Sequence, residues 1–244
     1  MTQAIAPPQP PRDGAPPPRP GPDLARMRKP IRTLFGALLF RRISMPLSAL
    51  LARTRIHPTQ ITLAGLASGL VGAGLLATGG RWLAVSGAAL IWVAKILDAA
   101  DGEVARAKHM DTPGGYVLDG LTDRLRDTAV IVGCGIGAHQ AGLASGLEWT
   151  IGAVCGFLYF FYVSGIAPSH WRESRSEGDV DEKHMFRVTN AIRLGAGDTL
   201  AVAVMVAALV HHLDVLIIAV ALSAPVAVVA KLRSLTRRRP WESA

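Results

Sequence analysis

The chain has 244 residues, half of them hydrophobic and only 18% charged, with a formal net charge of +8 and a mean hydropathy of +0.32. Such a composition argues against an ordinary water-soluble domain. The excess of Lys and Arg calls for no nucleic acid, because its placement follows membrane topology.

Residues 1–30 are rich in Pro and nearly free of large apolar groups, which predicts a disordered cytoplasmic tail. Residues 31–57 read as a basic amphipathic segment. Ser44 is placed to cap a helix with Pro46 in its first turn. Leu47, Leu50 and Leu51 share a face, with Arg41, Arg42, Arg53 and Arg55 around the ends. This pattern suits a helix lying in the membrane interface.

Six apolar runs follow, at about 59–79, 82–103, 114–138, 147–168, 197–213 and 215–234. Each approaches the roughly 20 helical residues that cross a hydrocarbon core. The fold class expected is all-α: an integral membrane bundle of six transmembrane helices over 58–234, preceded by the interfacial helix. A basic cytoplasmic tail, 235–244, closes the chain. Arg81 alone lies between the first two runs, and no Lys or Arg lies between the third and fourth or the fifth and sixth. The positive-inside rule then places both termini, and the segment joining the second and third runs, on the cytoplasmic side of the inner membrane. Cys134 and Cys155 fall inside apolar runs and read as packing residues, neither a disulfide nor a metal pair. Gly65-x3-Gly69 and Gly133-x3-Gly137 permit close helix contacts, within the bundle or across a dimer.

The most informative stretch is Ile96 to Arg124, ILDAADGEVARAKHMDTPGGYVLDGLTDR. Asp98 and Asp101 are three apart and share a helix face; Asp119 and Asp123 are four apart and share another. A turn through Asp111-Thr112-Pro113-Gly114-Gly115 folds the two helices back, with Asp111 as a candidate cap. Four carboxylates then converge at the cytoplasmic edge. Left alone they repel one another. Hard divalent cations with oxygen ligands are the natural counter-charge, Mg2+ first and Mn2+ or Ca2+ next. Such ions imply a phosphorylated substrate, with a diphosphate bridging two of them. The competing reading is a salt-bridge network with Arg106, Lys108, Arg124 and Arg126. Glu103 reads as a solvated charge or a partner for a nearby Arg, and Lys108 and His109 as loop residues.

Written as spacing, the stretch is D-x2-D-G-x2-A-R-x8-G-x3-D-x3-D from Asp98 to Asp123. All its fixed positions match the signature of the CDP-alcohol phosphotransferase family, which this chain therefore resembles. The likeness runs from about residue 40 to 234 and includes the Pro-x-x-x-Thr entry to the first span at Pro58 and Thr62. The family often has Asn after that proline, where this chain has Thr59.

The resemblance implies transfer of a phosphoryl-linked group from a CDP-alcohol, usually CDP-diacylglycerol, to a second alcohol with release of CMP. By similarity Asp98, Asp101 and Asp119 hold two Mg2+ ions, for which Mn2+ can substitute. Asp123 touches the second ion and takes the proton of the acceptor hydroxyl. Thr62, Gly102, Ala105, Arg106 and Thr112 contact the CDP-alcohol, the two small residues by letting the nucleotide approach the backbone. Family members that use a phosphorylated polyol hold its phosphate with basic residues. Here Arg193 and then Arg187, in the mixed-charge loop 169–196, are the candidates. The resemblance also favours a homodimer. The wording LLARTRIHPTQIT and DAADGEVARAK further resembles the branch containing di-myo-inositol-phosphate-phosphate synthases, whose donor is CDP-inositol. Two other classes remain as alternatives. An intramembrane prenyltransferase would carry its two Asp-rich motifs far apart. A transporter or cation-binding scaffold would need no nucleotide.

Overall fold

The computed structural model describes residues 21–27, 39–143, 149–151, 153–157, 185–187 and 193–237. Helices dominate: α1 (Arg41–Ala52), α2 (Pro58–Leu76), α3 (Arg81–Ala107), α4 (Pro113–Gln140), α5 (Ala196–Val210) and α6 (Leu213–Arg237). Residues 149–151 and 153–157 are also helical. The all-α expectation holds, with one addition. β1 (Met185–Arg187) and β2 (Arg193–Gly195) form a short antiparallel ladder ahead of α5.

Local chemistry explains the ends of the helices. His57 caps α2, its Nδ1 accepting from Thr59 N at 3.2 Å while its own N–H donates to Gln60 Oε1 at 2.9 Å. Pro58 at the first helical position has no N–H to satisfy. The Thr59 hydroxyl pairs with the same ring nitrogen at 3.1 Å, so this side chain serves the cap. Gly79, at φ +72°, closes the turn between α2 and α3 in a conformation few other residues adopt. α4 is capped by Thr112, whose Oγ1 accepts from Gly115 N at 3.1 Å. Asp111, the expected cap, is exposed.

α2 packs along both α3 and α4; α3 also meets α1 and α5, and α4 meets α6. The core between them is built from Leu76, Ala88, Ile91, Val130, Ile131, Cys134, Val204, Leu213 and Ile217. Small residues bring the backbones together. A Cβ on Gly133 would stand 2.4 Å from the Ala73 carbonyl oxygen, and one on Gly137 would stand 2.1 Å from that of Leu76. The Gly133-x3-Gly137 pair thus serves packing inside the chain. Cys134 is a buried core residue, whereas Cys155, expected to pack, is an exposed free thiol.

Two sequence expectations for the N-terminal part are corrected. Ser44 does not cap α1. The helix begins earlier, at Arg41, with no side-chain cap, and the inward face of α1 is a serine stripe. Ser44 and Ser48 donate to Glu103 at 3.3 and 2.7 Å, and Arg41 pairs with the same carboxylate at 3.4 Å. Glu103 is therefore buried and paired, while Ile43 and Leu50 point outward, 52% and 64% exposed. Second, residues 21–27 are docked and do not belong to a free tail. Asp23 N–H donates to Ala107 O at 2.8 Å, and Met27 buries its side chain against Ala52 and Ala107.

α2 and α3 are long and apolar enough to cross a membrane. α4 spans 28 residues, but Asp119, Asp123, Arg124, Arg126 and Asp127 interrupt it. The apolar runs Gly197–Val210 and Leu213–Ser223 are shorter. Most of the expected fourth span, and the ends of the chain, lie outside the described residues.

Candidate metal centre

The antiparallel course of α3 and α4 sets the site. α3 is 27 residues long, about 40 Å at 1.5 Å per residue, so its last turns extend past what a span of about 30 Å needs. Asp98 and Asp101 lie about 25–30 Å along it, where such a span ends. Residues 108–112 then lead into α4, whose first three turns carry Asp119 and Asp123.

Carboxylate oxygens of Asp98, Asp119 and Asp123 all lie within 4.8 Å of one another, at positions neither fully buried nor fully exposed. Asp101, the fourth expected member, is buried and turned toward α2, where the Thr62 hydroxyl donates to its Oδ2 at 2.5 Å. Three of the four aspartates are thus gathered, and Thr62, expected at the CDP-alcohol, holds the fourth.

Charge in the site is balanced in part by the chain itself. The guanidinium of Arg126, 2% exposed, gives each nitrogen to a different carboxylate. Nη1 reaches Asp98 Oδ1 at 3.2 Å, Nε reaches Asp127 Oδ1 at 3.2 Å, and Nη2 contacts Asp123 Oδ1. Lys95 Nζ stands 3.3 Å from Asp123 Oδ1 and 3.9 Å from Asp127 Oδ1. Both cations meet Asp123 at one oxygen, so Oδ2 is not engaged by these pairs. The N-terminal end of α5 closes over this group. A Cβ on Gly197 would come 2.7 Å from Lys95 Nζ and 3.0 Å from Asp127 Oδ2. Trp92 ties the same two helices, its Nε1–H donating to Ala201 O at 3.0 Å.

Sequence reasoning missed Lys95 and Asp127. Both had a signal: Lys95 is an ionisable residue inside an apolar run, and Asp127 continues the four-residue spacing of Asp119 and Asp123. The salt-bridge reading is realised through Arg126, joined by the unforeseen Lys95, and it coexists with the carboxylate cluster. Arg124 instead donates to the Gly120 carbonyl, and Lys108 to those of Thr54 and Ile56 at 2.9 and 2.6 Å.

The remaining candidates sit on the same end of the bundle. Gly102 and Arg106 share a face of α3, and Arg106 Nη1 lies 3.2 Å from where a Cβ on Gly102 would stand. Ala105 is half-buried on the next position, and Thr112 is exposed at the start of α4. Arg187 and Arg193 are register partners in the β ladder, and β2 runs directly into α5 and Gly197.

The donor set is all carboxylate oxygen, gathered within 4.8 Å on half-buried residues, which fits a hard divalent cation. Soft metals, which favour thiolate or imidazole, have no ligands in this cluster.

Comparison with known proteins identifies the family. A 102-residue segment is 42% identical to a bifunctional IPC transferase and DIPP synthase of Rubrobacter xylanophilus, covering 41% of this chain and 23% of that protein. A 94-residue segment is 35% identical to a phosphatidylinositol phosphate synthase of Mycobacterium tuberculosis, covering 38% of this chain and 42% of that protein. The chain thus matches less than half the length of either relative. Among solved structures, the Mycobacterium tuberculosis phosphatidylinositol phosphate synthase with CDP-DAG bound shares the fold. Its TM-score is 0.60 at 22% identity, over 79% of this chain and 92% of that one. The same enzyme in complex with manganese and citrate gives 0.59 at 20% identity, over 83% and 92%. The family model described as CDP-alcohol phosphatidyltransferase matches residues 55–232, a stretch that holds the whole aspartate signature, and the chain belongs to that family.

Proposed function

We propose that the chain is a membrane phosphotransferase that moves a phosphatidyl group from CDP-diacylglycerol to the hydroxyl of a second alcohol, releasing CMP. The observation that carries this reading is the gathering of Asp98, Asp119 and Asp123 within 4.8 Å, inside a signature that the family match covers.

A divalent cation held by Asp98, Asp101, Asp119 and Asp123, Mg2+ by preference and two in number with donor bound, would neutralise the diphosphate and its leaving group. The chain's own residues do the rest. Arg106 offers forked donors to phosphate oxygens, and Thr112 adds a hydroxyl at the same end of α4. Gly102 and Ala105 leave the α3 backbone open to the nucleotide, and Thr62 keeps Asp101 aimed. Asp123, whose Oδ2 is free of the Lys95 and Arg126 pairs, accepts the acceptor's proton. The acceptor oxygen then bonds to the lipid-side phosphorus as the bond to CMP breaks.

The name of the mycobacterial relatives supports a phosphorylated polyol as acceptor, with Arg193 and Arg187 for its phosphate. The Rubrobacter relative supports the second reading, a polar donor such as CDP-inositol. The membrane setting rests on α2 and α3 and on outward-facing Leu63, Val71, Val117 and Leu121. The site is assigned to the cytoplasmic face of the inner membrane from the placement of Lys and Arg, and a homodimer from the resemblance.

Product analysis tests the proposal. Purified protein with Mg2+ is given CDP-diacylglycerol or CDP-inositol, each with glycerol 3-phosphate, inositol phosphate, inositol, serine or choline. CMP together with a new phosphatidyl lipid is the expected result. CMP with CDP-inositol alone would select the second reading, and no CMP from either donor would remove both.

A further inference from the structure

The Arg126 guanidinium spans the gap between Asp98 and Asp123, the two carboxylates on opposite helices that a second cation would have to share. Its seat is built for it. Three carboxylates take its three nitrogens, and its stem lies in a notch made by Gly69, where a Cβ would come within 2.5 Å of Cγ and 2.6 Å of Cδ. Lys95, 6% exposed, adds a second fixed positive charge on Asp123. A guanidinium with every nitrogen paired in a fitted notch has little reason to leave.

We propose that Arg126, backed by Lys95, is a resident counter-cation that keeps the second divalent ion out of the empty site, so that this ion enters only with the donor's diphosphate. The inference rests on the metal reading of the aspartate cluster. One divalent ion on the Asp98–Asp119 side leaves the site near neutrality, because Arg126 and Lys95 already offset part of the carboxylate charge. A second ion then meets like charge at close range and finds Asp98 and Asp123 engaged. A diphosphate brings the negative charge and the extra oxygens that make the second ion tolerable. The chain would thus link loading of its second ion to the presence of its nucleotide substrate, with Arg126 acting as a positioning residue.

Mn2+ titration of the purified full chain, followed by the free-ion paramagnetic resonance signal, reads the number of ions bound. The wild-type chain should take up one Mn2+ alone and two with CDP-diacylglycerol or CDP-inositol present and no acceptor. Arg126→Gln should take up two without nucleotide, its second-ion affinity rising at least a hundredfold. Arg126→Lys, which keeps the charge, should stay at one. Gly69→Ala fills the notch and displaces the Arg126 stem without removing its charge, and should raise second-ion affinity about tenfold. This variant carries the test if Arg126→Gln yields no folded protein. Two ions on the nucleotide-free wild type, or an unchanged count in both Arg126→Gln and Gly69→Ala, overturns the inference and leaves the metal site standing. No Mn2+ on any chain, with or without nucleotide, overturns the metal reading too.

Discussion

Each aspartate in the cluster has a distinct set of neighbours, and so a distinct expected effect when changed. Asp123 shares one oxygen with Lys95 and Arg126, and the proposal gives its other oxygen the acceptor's proton. Asp123→Asn should lower kcat by about 10²–10⁴-fold, the usual worth of a positioned base, while binding of the CDP-alcohol changes little. A variant that turns over at the normal rate would remove Asp123 as the base. Asp101 is aimed by Thr62 at 2.5 Å. Thr62→Val removes that hydrogen bond at nearly constant volume and should weaken divalent-ion affinity by roughly 10–100-fold, as loss of an outer partner of a ligand does. Calorimetric metal titration measures it; unchanged affinity would mean Asp101 is not oriented through Thr62.

Helices place these residues, and glycines set how closely the helices approach. A Cβ on Gly137 would meet the Leu76 carbonyl at 2.1 Å, whereas Gly74, one helix away, has nothing within 4 Å. Gly137→Ala should therefore destabilise the bundle by about 1–3 kcal/mol through overpacking against backbone. Gly74→Ala should be neutral or stabilising by up to about 1 kcal/mol from helix propensity. Thermal unfolding of both variants in one detergent compares them directly, and equal shifts would contradict the packing described. At this scale the sequence was an uneven guide. The spacing of Asp98, Asp119 and Asp123 survives as geometry because helix period and one turn fix it locally, whereas Asp101 turns to Thr62 on α2. Periodicity does not disclose partners on other helices. Nothing near Glu103 in sequence announces Arg41, Ser44 and Ser48, more than fifty residues away. For the same reason α1 read as a leucine-faced helix, although its buried face is serine and its partner a carboxylate. Met27 was legible only as one apolar residue in a proline-rich tail, because the pocket that receives it forms from Ala52 and Ala107. Thr62 was visible as a residue but not as the partner of Asp101, whereas Arg126 was among the cations that the salt-bridge reading set against the aspartates.

Among the described residues, the groups of the proposed site gather at one end of the bundle. The ends of α3 and α4 bring the aspartates, α2 contributes Thr62 and the Gly69 notch, and the start of α5 seals Lys95 and Asp127 behind them. The β ladder that pairs Arg187 with Arg193, the residues proposed from the resemblance for an acceptor phosphate, feeds into that same helix. The central claim is that the aspartate cluster works by holding divalent cations against the diphosphate of a CDP-alcohol. Metal-dependent CMP release tests it most directly, with purified wild-type and Asp98→Asn chains in lipid nanodiscs supplied with both candidate donors and the panel of acceptors. The account predicts no CMP in EDTA, CMP on addition of Mg2+ or Mn2+ to the wild type, and a loss of at least a hundredfold in Asp98→Asn. CMP release that persists in EDTA, or that survives unchanged in Asp98→Asn, would contradict it.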